Sequence, residues 1–156
     1  IFTTGGTIDK VYFDALSEYK IGATGLPDML AENNVFVPHR VTQLLRKDSL
    51  ELTDADRAAI HDAVAASDAD KILVTHGTDT MADTGRVLAD IVGKTIVLTG
   101  AMQPATLRNS DAEFNVGFAL AAVQTLPPGV YIAMNGEVFD PARVHKDRSA
   151  HRFMRD

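Results

Sequence analysis

The sequence predicts an α/β protein, a three-layer α/β/α sandwich built on a mostly parallel sheet. Three short apolar runs, at residues 71–75 (KILVT), 95–99 (TIVLT) and 130–134 (VYIAM), have the length and β-branched content of strands buried on both faces. Segments of helical character separate these runs, and strand–helix alternation is typical of parallel sheets. Because ligands of such sheets bind at the carboxyl ends of strands, the residues after each run are candidates for a site.

Composition restricts the classes of function. The 156 residues suffice for one domain with a sizeable core, and a formal net charge of −6 disfavours nucleic-acid binding. There is no cysteine, which excludes disulfides and thiolate chemistry and is compatible with the cytoplasm. No apolar run approaches the roughly 20 residues of a membrane helix. The histidines are scattered without metal-ligand spacing, so we predict neither a catalytic metal nor another cofactor.

The chain opens on the end of a strand followed by a glycine turn. Residues 1–4 (IFTT) are apolar and β-branched, and Gly5 and Gly6 allow a tight turn with close backbone approach. The hydroxyls of Thr4 and Thr7 therefore lie near the carboxyl end of this strand. A threonine can act as a nucleophile when another group takes its proton. Because the sequence starts in mid-strand without Met, we expect a few residues to precede it.

In the first half, residues 9–25 show no steady period and are predicted to form a long loop, which in a compact domain is usually a lid, a binding loop or a disordered segment. A short helix is predicted over 26–33. Residues 35–45 are predicted to form a strand near a sheet edge, because Pro38 cannot donate to a ladder. A threonine caps a helix predicted over 53–67, with acidic residues in its first turn.

In the second half, a helix is predicted over 80–92. Another is predicted over 110–126, opened by a capping box of Ser110 and Glu113. Residues 137–139 are predicted to add a short strand after the last apolar run. The chain then continues into a polar, basic tail.

Residues 76–80 (HGTDT) carry the most suggestive chemistry because they place a hydroxyl and a carboxylate at a helix N-terminus, where N–H donors can stabilise an oxyanion. Thr78 needs a base, and the candidates are the adjacent Asp79 and a lysine such as Lys146 in the tail. On residue types alone, helix capping by Thr78 or Asp79 is compatible with this chemistry, and a solvated charge is the better explanation of Lys146.

Residues 4–8 (TGGTI) and 76–81 (HGTDTM) closely resemble the two signature motifs of the bacterial-type L-asparaginase/glutaminase family. Three further segments resemble, in order, the family's mobile active-site loop, its third conserved stretch and the segment bearing its catalytic lysine: residues 17–22 (SEYKIG), 99–104 (TGAMQP) and 144–146 (VHK). The resemblance spans nearly the whole chain.

The resemblance implies hydrolysis of L-asparagine to L-aspartate and ammonia. It implies that Thr4 is the nucleophile that forms an acyl-enzyme, with Tyr19 beside it. Thr78, coupled to Lys146 and Asp79, then activates water. Which threonine attacks first is left open by the family arrangement.

The resemblance also implies a set of substrate-binding residues: Gly5, Asp48, Ser49, Gly77, Thr78, Asp79 and Ala101. Asp79 is expected to bind the substrate's α-amino group. The family's Ser-x-Asp element aligns with residues 46–48, so Arg46 stands where a serine is usual. The substrate carboxylate is therefore expected to be held by Ser49, by a backbone group or by Arg46 itself.

Family members are about twice this length and carry a smaller C-terminal domain. We expect residues 1–156 to form a single asparaginase-like catalytic domain, either a short form or a fragment, with one wall of the pocket missing. Weak substrate affinity follows from that expectation. The resemblance further implies a small-molecule substrate and a homo-oligomer. Two alternatives remain: a glutaminase-type, ammonia-generating amidohydrolase, and a non-enzymatic module that binds aspartate or asparagine.

Overall fold

The computed structural model describes residues 1–13 and 18–156, which contain one six-stranded sheet, two hairpins and four α-helices. The strands of the sheet are β1 (Phe2–Gly5), β4 (Thr42–Lys47), β5 (Lys71–Thr75), β6 (Thr95–Thr99), β7 (Gly129–Met134) and β8 (Glu137–Phe139). The hairpins are β2 (Lys10–Phe13) with β3 (Glu18–Ile21), and β9 (Val144–Asp147) with β10 (Arg152–Arg155). The helices are α1 (Leu26–Glu32), α2 (Asp54–Ala66), α3 (Met81–Val87) and α4 (Ala112–Thr125).

The strand order of the sheet is β4-β1-β5-β6-β7-β8. The first five strands in this order run parallel and β8 is antiparallel, as the sequence predicts for a mostly parallel sheet. The chain passes from β1 to β4 on one side and then returns to β5 on the other. A reversal of this kind leaves a crevice at the carboxyl ends of the strands.

Helices cover both faces of the sheet, which confirms the predicted three-layer sandwich. Along β5 the side chains alternate, so Ile72 and Val74 face one core and Leu73 faces the other. The first core also contains Ile60 of α2, and the second contains Val123 of α4. The middle residues of β5 and β6 are buried on both faces, which is why residues 72–74 and 96–98 are all apolar. None of the helices in the described part of the chain has the length and apolar character that a bilayer span needs.

The prediction of a loop over residues 9–25 is wrong, because the described part of this region includes the hairpin of β2 and β3. Tyr12 and Tyr19 lie opposite each other in this hairpin, and most of its side chains are exposed. A two-stranded ribbon with water on both faces shows no hydrophobic period, so no pattern in the sequence indicates strands here. Ser17, part of the predicted active-site loop, lies outside the described residues.

Two predicted elements are shorter in the structure. The edge strand predicted over 35–45 begins only at Thr42, four residues after Pro38, and residues 36–40 are exposed. The helix predicted over 80–92 ends at Val87 and continues as a single 3₁₀ turn, Leu88–Asp90.

The capping box predicted for Ser110 and Glu113 is not formed, since α4 begins at Ala112 and its cap, Asp111, makes no side-chain capping bond. The predicted cap on α2 is confirmed, because Thr53 and Asp56 form a reciprocal capping box. The carboxylate of Asp111 instead accepts hydrogen bonds from the loop after β6.

The prediction of a polar tail after the last strand is wrong, because this part of the chain forms the hairpin of β9 and β10. Lys146 lies in β9, and the hairpin of β9 and β10 is anchored by Val144 and Phe153, which are buried in the core beside α3. Anchoring of the hairpin fixes the backbone that carries Lys146.

Candidate active site

Three loops at the carboxyl ends of β1, β4 and β5 meet in direct backbone contact. A Cβ added at Gly6 would lie 2.4 Å from Cα of Gly77, and one added at Gly77 would lie 2.6 Å from Oγ of Ser49. Gly5 and Gly6 have φ angles of 96° and 87°, which L side chains rarely adopt. These glycines are therefore required by both conformation and space, and they bring the three predicted substrate-binding loops together.

Lys146 reaches the loop after β5, as the resemblance implies. Its Nζ donates to Oγ1 of Thr78 at 2.7 Å and to Oδ1 of Asp79 at 3.0 Å. The side chain of Lys146 is 14% exposed and that of Asp79 is 24% exposed, so both are partly shielded from water. The fold thus joins an ammonium group, a hydroxyl and a carboxylate that are distant in sequence.

A second cation contacts the same carboxylate. Nε of Arg148 donates to Oδ1 of Asp79 at 3.2 Å, although the arginine side chain is 67% exposed. Within residues 1–13 and 18–156, Oδ2 of Asp79 accepts no hydrogen bond. One carboxylate oxygen is therefore held by two cations and the other is accessible to a further donor.

His76 is completely buried beneath this loop and fixes its orientation. Its Nδ1–H donates to the carbonyl of Gly77 at 2.7 Å, and its Nε2 accepts from the hydroxyl of Thr84 at 2.8 Å. Because a trans peptide points its N–H away from its C=O, this bond directs the N–H of Thr78 away from the imidazole. Among the described residues that N–H donates no hydrogen bond. It is a suitable donor for a developing oxyanion.

Burial lowers the pKa of His76 to about 4, although its bond to the Gly77 carbonyl opposes the shift. Below pH 6.5, the pKa of His76 in the unfolded chain, the unfolded chain binds a proton at this residue and the native chain does not. The free energy of unfolding therefore decreases as the pH is lowered from 6.5 to 4. From pH 7 to pH 5 we expect a loss of about 2 kcal/mol from this group.

Urea unfolding at pH 7 and pH 5, with wild type and His76→Gln compared at each pH, measures this loss. The difference between the two proteins isolates His76 from His61, whose pKa is raised by Asp62 and Asp90 and whose contribution has the opposite sign. The same pH dependence in both proteins contradicts a neutral buried His76.

The two threonines of the first turn have different environments. Thr4 is 1% exposed, and its hydroxyl donates to the carbonyl of Thr75 at 2.9 Å, between β1 and β5. Thr7 begins the 3₁₀ turn after Gly6 and is partly exposed. Its hydroxyl makes no hydrogen bond within the described ranges. The structure therefore places Thr4 inside the sheet and Thr7 at its edge, next to the contact of Gly6 with Gly77.

Tyr19 lies on the exposed hairpin, where it is 48% exposed and packs edge-on against Tyr12 with ring centroids 5.7 Å apart. No hydrogen bond joins its phenol to the described residues of the site. The base of this hairpin is tied to the loop after β4 by Lys10, whose Nζ lies 3.1 Å from Oδ2 of Asp48.

Asp48 and Ser49 begin the loop after β4. Burial raises the pKa of Asp48, but the N–H of Leu50 and the charges of Lys10 and Lys146 outweigh burial, and the net shift is downward. The hydroxyl of Ser49 is buried and has no hydrogen-bond partner in the described part of the chain. Such a hydroxyl costs free energy unless a ligand satisfies it. Arg46, the other candidate for the substrate carboxylate, is exposed.

Ala101 is fully buried in the loop after β6. Two residues that the sequence analysis did not identify, Asp111 and Asn115, hold this loop in place. The carboxylate of Asp111 accepts from the N–H of Met102 at 3.0 Å. The buried Asn115 donates to the carbonyl of Gly100 at 3.0 Å and to Asp111 at 2.9 Å. These bonds explain why Asp111 does not cap α4. A polar pair at the start of a helix was the only signal in the sequence.

The described residues contain no group of three or more His, Asp or Glu side chains that could hold a metal ion. A cavity of about 490 Å³ lies near Pro38, Lys71 and Leu120, at the amino ends of the parallel strands. Thr78 follows the carboxyl end of β5, at the opposite end of the strands, so this cavity is not part of the candidate site.

A lysine that contacts both a hydroxyl and a carboxylate, beside a peptide N–H, is an arrangement typical of hydrolases that act through an activated hydroxyl. The family model described as "Asparaginase, N-terminal" matches residues 1–154. The chain therefore belongs to the asparaginase family, which confirms the resemblance seen in the motifs.

Known proteins match this chain over nearly its whole length, and a solved structure shares its fold. The chain is 34% identical, over 96% of its length, to the L-asparaginase of Thermococcus kodakarensis, of which it covers 47%. It is 28% identical, over 97% of its length, to the glutaminase-asparaginase of Acinetobacter glutaminasificans, of which it covers 50%. The solved structure of the thermostable L-asparaginase from Thermococcus kodakarensis superimposes with a TM-score of 0.83 at 30% identity, over 99% of this chain and 49% of that chain. The chain thus spans about half the length of these relatives.

Proposed function

We propose that the protein hydrolyses the side-chain amide of L-asparagine to L-aspartate and ammonia. The observation that carries the proposal is the 2.7 Å contact between Nζ of Lys146 and Oγ1 of Thr78, at a strand edge where three loops meet. Membership of the asparaginase family and the names of the relatives support the substrate. L-glutamine is the second candidate, since one relative is named a glutaminase-asparaginase.

In the mechanism that we propose, the hydroxyl of Thr7 attacks the amide carbon. A C–O bond forms, the C–N bond breaks, and the threonine proton leaves with the nitrogen as ammonia. Water then attacks the acyl carbon and the ester C–O bond to Thr7 breaks. The proton that water loses passes by way of Thr78 and Lys146 to the Thr7 oxygen, and the N–H of Thr78 stabilises the oxyanion. The motif alone favoured Thr4 as nucleophile. We now prefer Thr7 because the hydroxyl of Thr4 is buried and bonded to Thr75.

For substrate binding, we propose that the unoccupied Oδ2 of Asp79 accepts from the α-ammonium group. The buried hydroxyl of Ser49 is suited to a substrate oxygen, and the charged Asp48 adds to the negative potential at the ammonium. Gly5, Gly77 and Ala101 are buried, and we propose that they shape the site through the packing of its loops. A role for Tyr19 stays a prediction, since its ring packs on Tyr12 and is 48% exposed.

Ammonia release from L-asparagine and from L-glutamine, measured at equal concentrations over a range up to millimolar, tests the substrate. We expect faster turnover of L-asparagine with a Michaelis constant well above 1 μM, the low end of the usual range, because Asp79 and Arg148 are partly exposed to water, which weakens charge interactions with a substrate. Faster turnover of L-glutamine favours the glutaminase alternative. Binding of L-aspartate without any ammonia release favours the non-enzymatic binding module.

We propose that residues 1–156 act as a single catalytic domain and that it assembles with further copies. A cytoplasmic location is proposed on the absence of cysteine, which is compatible with a reducing compartment. No nucleic-acid partner is proposed for a chain with a net charge of −6.

A further inference from the structure

Arg148, which neither the motifs nor the family resemblance singled out, lies against the carboxylate that we assign to the substrate's ammonium group. We propose that Arg148 binds the α-carboxylate of the amino-acid substrate and sets the preference for substrates that carry one. The inference rests on the proposed function and deepens it.

The backbone directs Arg148 towards the site. Arg148 is the first residue of the turn that follows β9, two positions after Lys146. Both side chains contact Oδ1 of Asp79. The intervening Asp147 turns the other way and accepts from the N–H groups of Ser149 and Ala150 at 2.8 and 3.0 Å. These bonds fix the turn from which the arginine side chain extends.

The donors that a carboxylate needs are present on Arg148. Only its Nε is bonded to Asp79, and within the described ranges its two terminal amino groups donate no hydrogen bond. A guanidinium presents its N–H groups as a planar fork that matches a carboxylate in bidentate fashion. With 67% of the side chain exposed, the fork can turn without leaving a buried group unpaired.

The charge pattern fits an α-amino acid. Its ammonium and carboxylate groups are attached to one carbon, and Asp79 and Arg148 form an adjacent pair of opposite charges at 3.2 Å. Substrate binding would exchange this ion pair for two pairs with the substrate. Arg46, which aligns with the family's serine, is exposed on β4 and contacts neither Asp79 nor Arg148 among the described hydrogen bonds.

Calorimetric titration with L-aspartate and with β-alanine, which is aspartate without its α-carboxylate, tests the proposal without requiring turnover. We expect Arg148→Gln to weaken L-aspartate binding about tenfold, because a charge-assisted hydrogen bond at a partly exposed site is worth about that factor. Binding of β-alanine should stay within about twofold of wild type. Arg152→Gln removes a charge from the same hairpin beside Asp147, on the opposite face, and should change neither affinity.

An unchanged L-aspartate affinity in Arg148→Gln overturns the proposal, and so does an equal loss for both ligands. Kinetics provide the second measurement: the Michaelis constant for L-asparagine should rise about tenfold with kcat little changed, and that for 3-aminopropanamide should not. If wild type binds L-aspartate but releases no ammonia, the proposed hydrolysis fails while the titration still decides the role of Arg148. Absence of any L-aspartate binding by wild type overturns both.

Discussion

Replacing Lys146 by methionine is expected to lower kcat for L-asparagine about a thousandfold. The change removes the only nitrogen base in contact with the hydroxyl of Thr78, at 2.7 Å, among the described residues, and general-base catalysis typically contributes factors of about 10² to 10⁴. Binding of L-aspartate should change much less, because Oδ2 of Asp79 remains available. Steady-state ammonia release and calorimetry of L-aspartate measure the two effects.

Lys146→Arg is the matched control for charge. It keeps a cation beside Asp79, but a guanidinium does not lose its proton in proteins and therefore cannot act as a base. We expect it to be nearly as inactive as the methionine variant. Activity close to wild type in Lys146→Arg would show that the lysine supplies charge alone.

Thr7→Val is expected to lower kcat by at least about a thousandfold, whereas Thr4→Val should retain kcat within about tenfold. Thr7 supplies the attacking oxygen in the proposed mechanism. The hydroxyl of Thr4 is bonded to the carbonyl of Thr75 inside the sheet, so its loss is expected to act on stability, by about 1 kcal/mol. Ammonia release and urea unfolding of both variants check the two expectations.

The opposite outcome would restore the assignment drawn from the motif. If Thr4→Val abolishes turnover while its unfolding curve matches wild type, Thr4 is the nucleophile and must become accessible when substrate binds. A covalent adduct detected by mass spectrometry on a slow substrate would locate the acylated threonine directly.

The sequence predicted the parts of the fold that depend on burial and local capping. The bounds of β5 and β6 were correct because strands covered on both faces must be apolar, and Thr53 was correctly identified as a cap. Residues 10–13 and 18–21 were mistaken for parts of a loop, since an exposed hairpin needs no apolar period. Asp111 was overlooked because its partners are N–H groups of a loop distant in space, which no local pattern encodes.

The candidate site was predicted unevenly for the same reason. Proximity of strand ends follows from the fold class, and the family motifs identified Thr78 and Lys146. The packing of β1 against β5 decides which hydroxyl of the first turn is accessible. Only the structure shows that the hydroxyl of Thr4 donates a hydrogen bond to the carbonyl of Thr75. Arg148 lies in the turn after β9, and no local pattern in the sequence indicates that its side chain contacts Asp79.

The most direct measurement follows the amide nitrogen of L-asparagine. Incubation with L-asparagine carrying ¹⁵N in the side-chain amide should yield labelled ammonium and unlabelled L-aspartate in equal amounts with wild type. With Thr78→Val, which keeps the shape of the residue but removes the hydroxyl bound by Lys146, we expect almost none. If wild type leaves the amide intact, or if Thr78→Val releases the label at the wild-type rate, the Thr78–Lys146 pair does not perform amide hydrolysis.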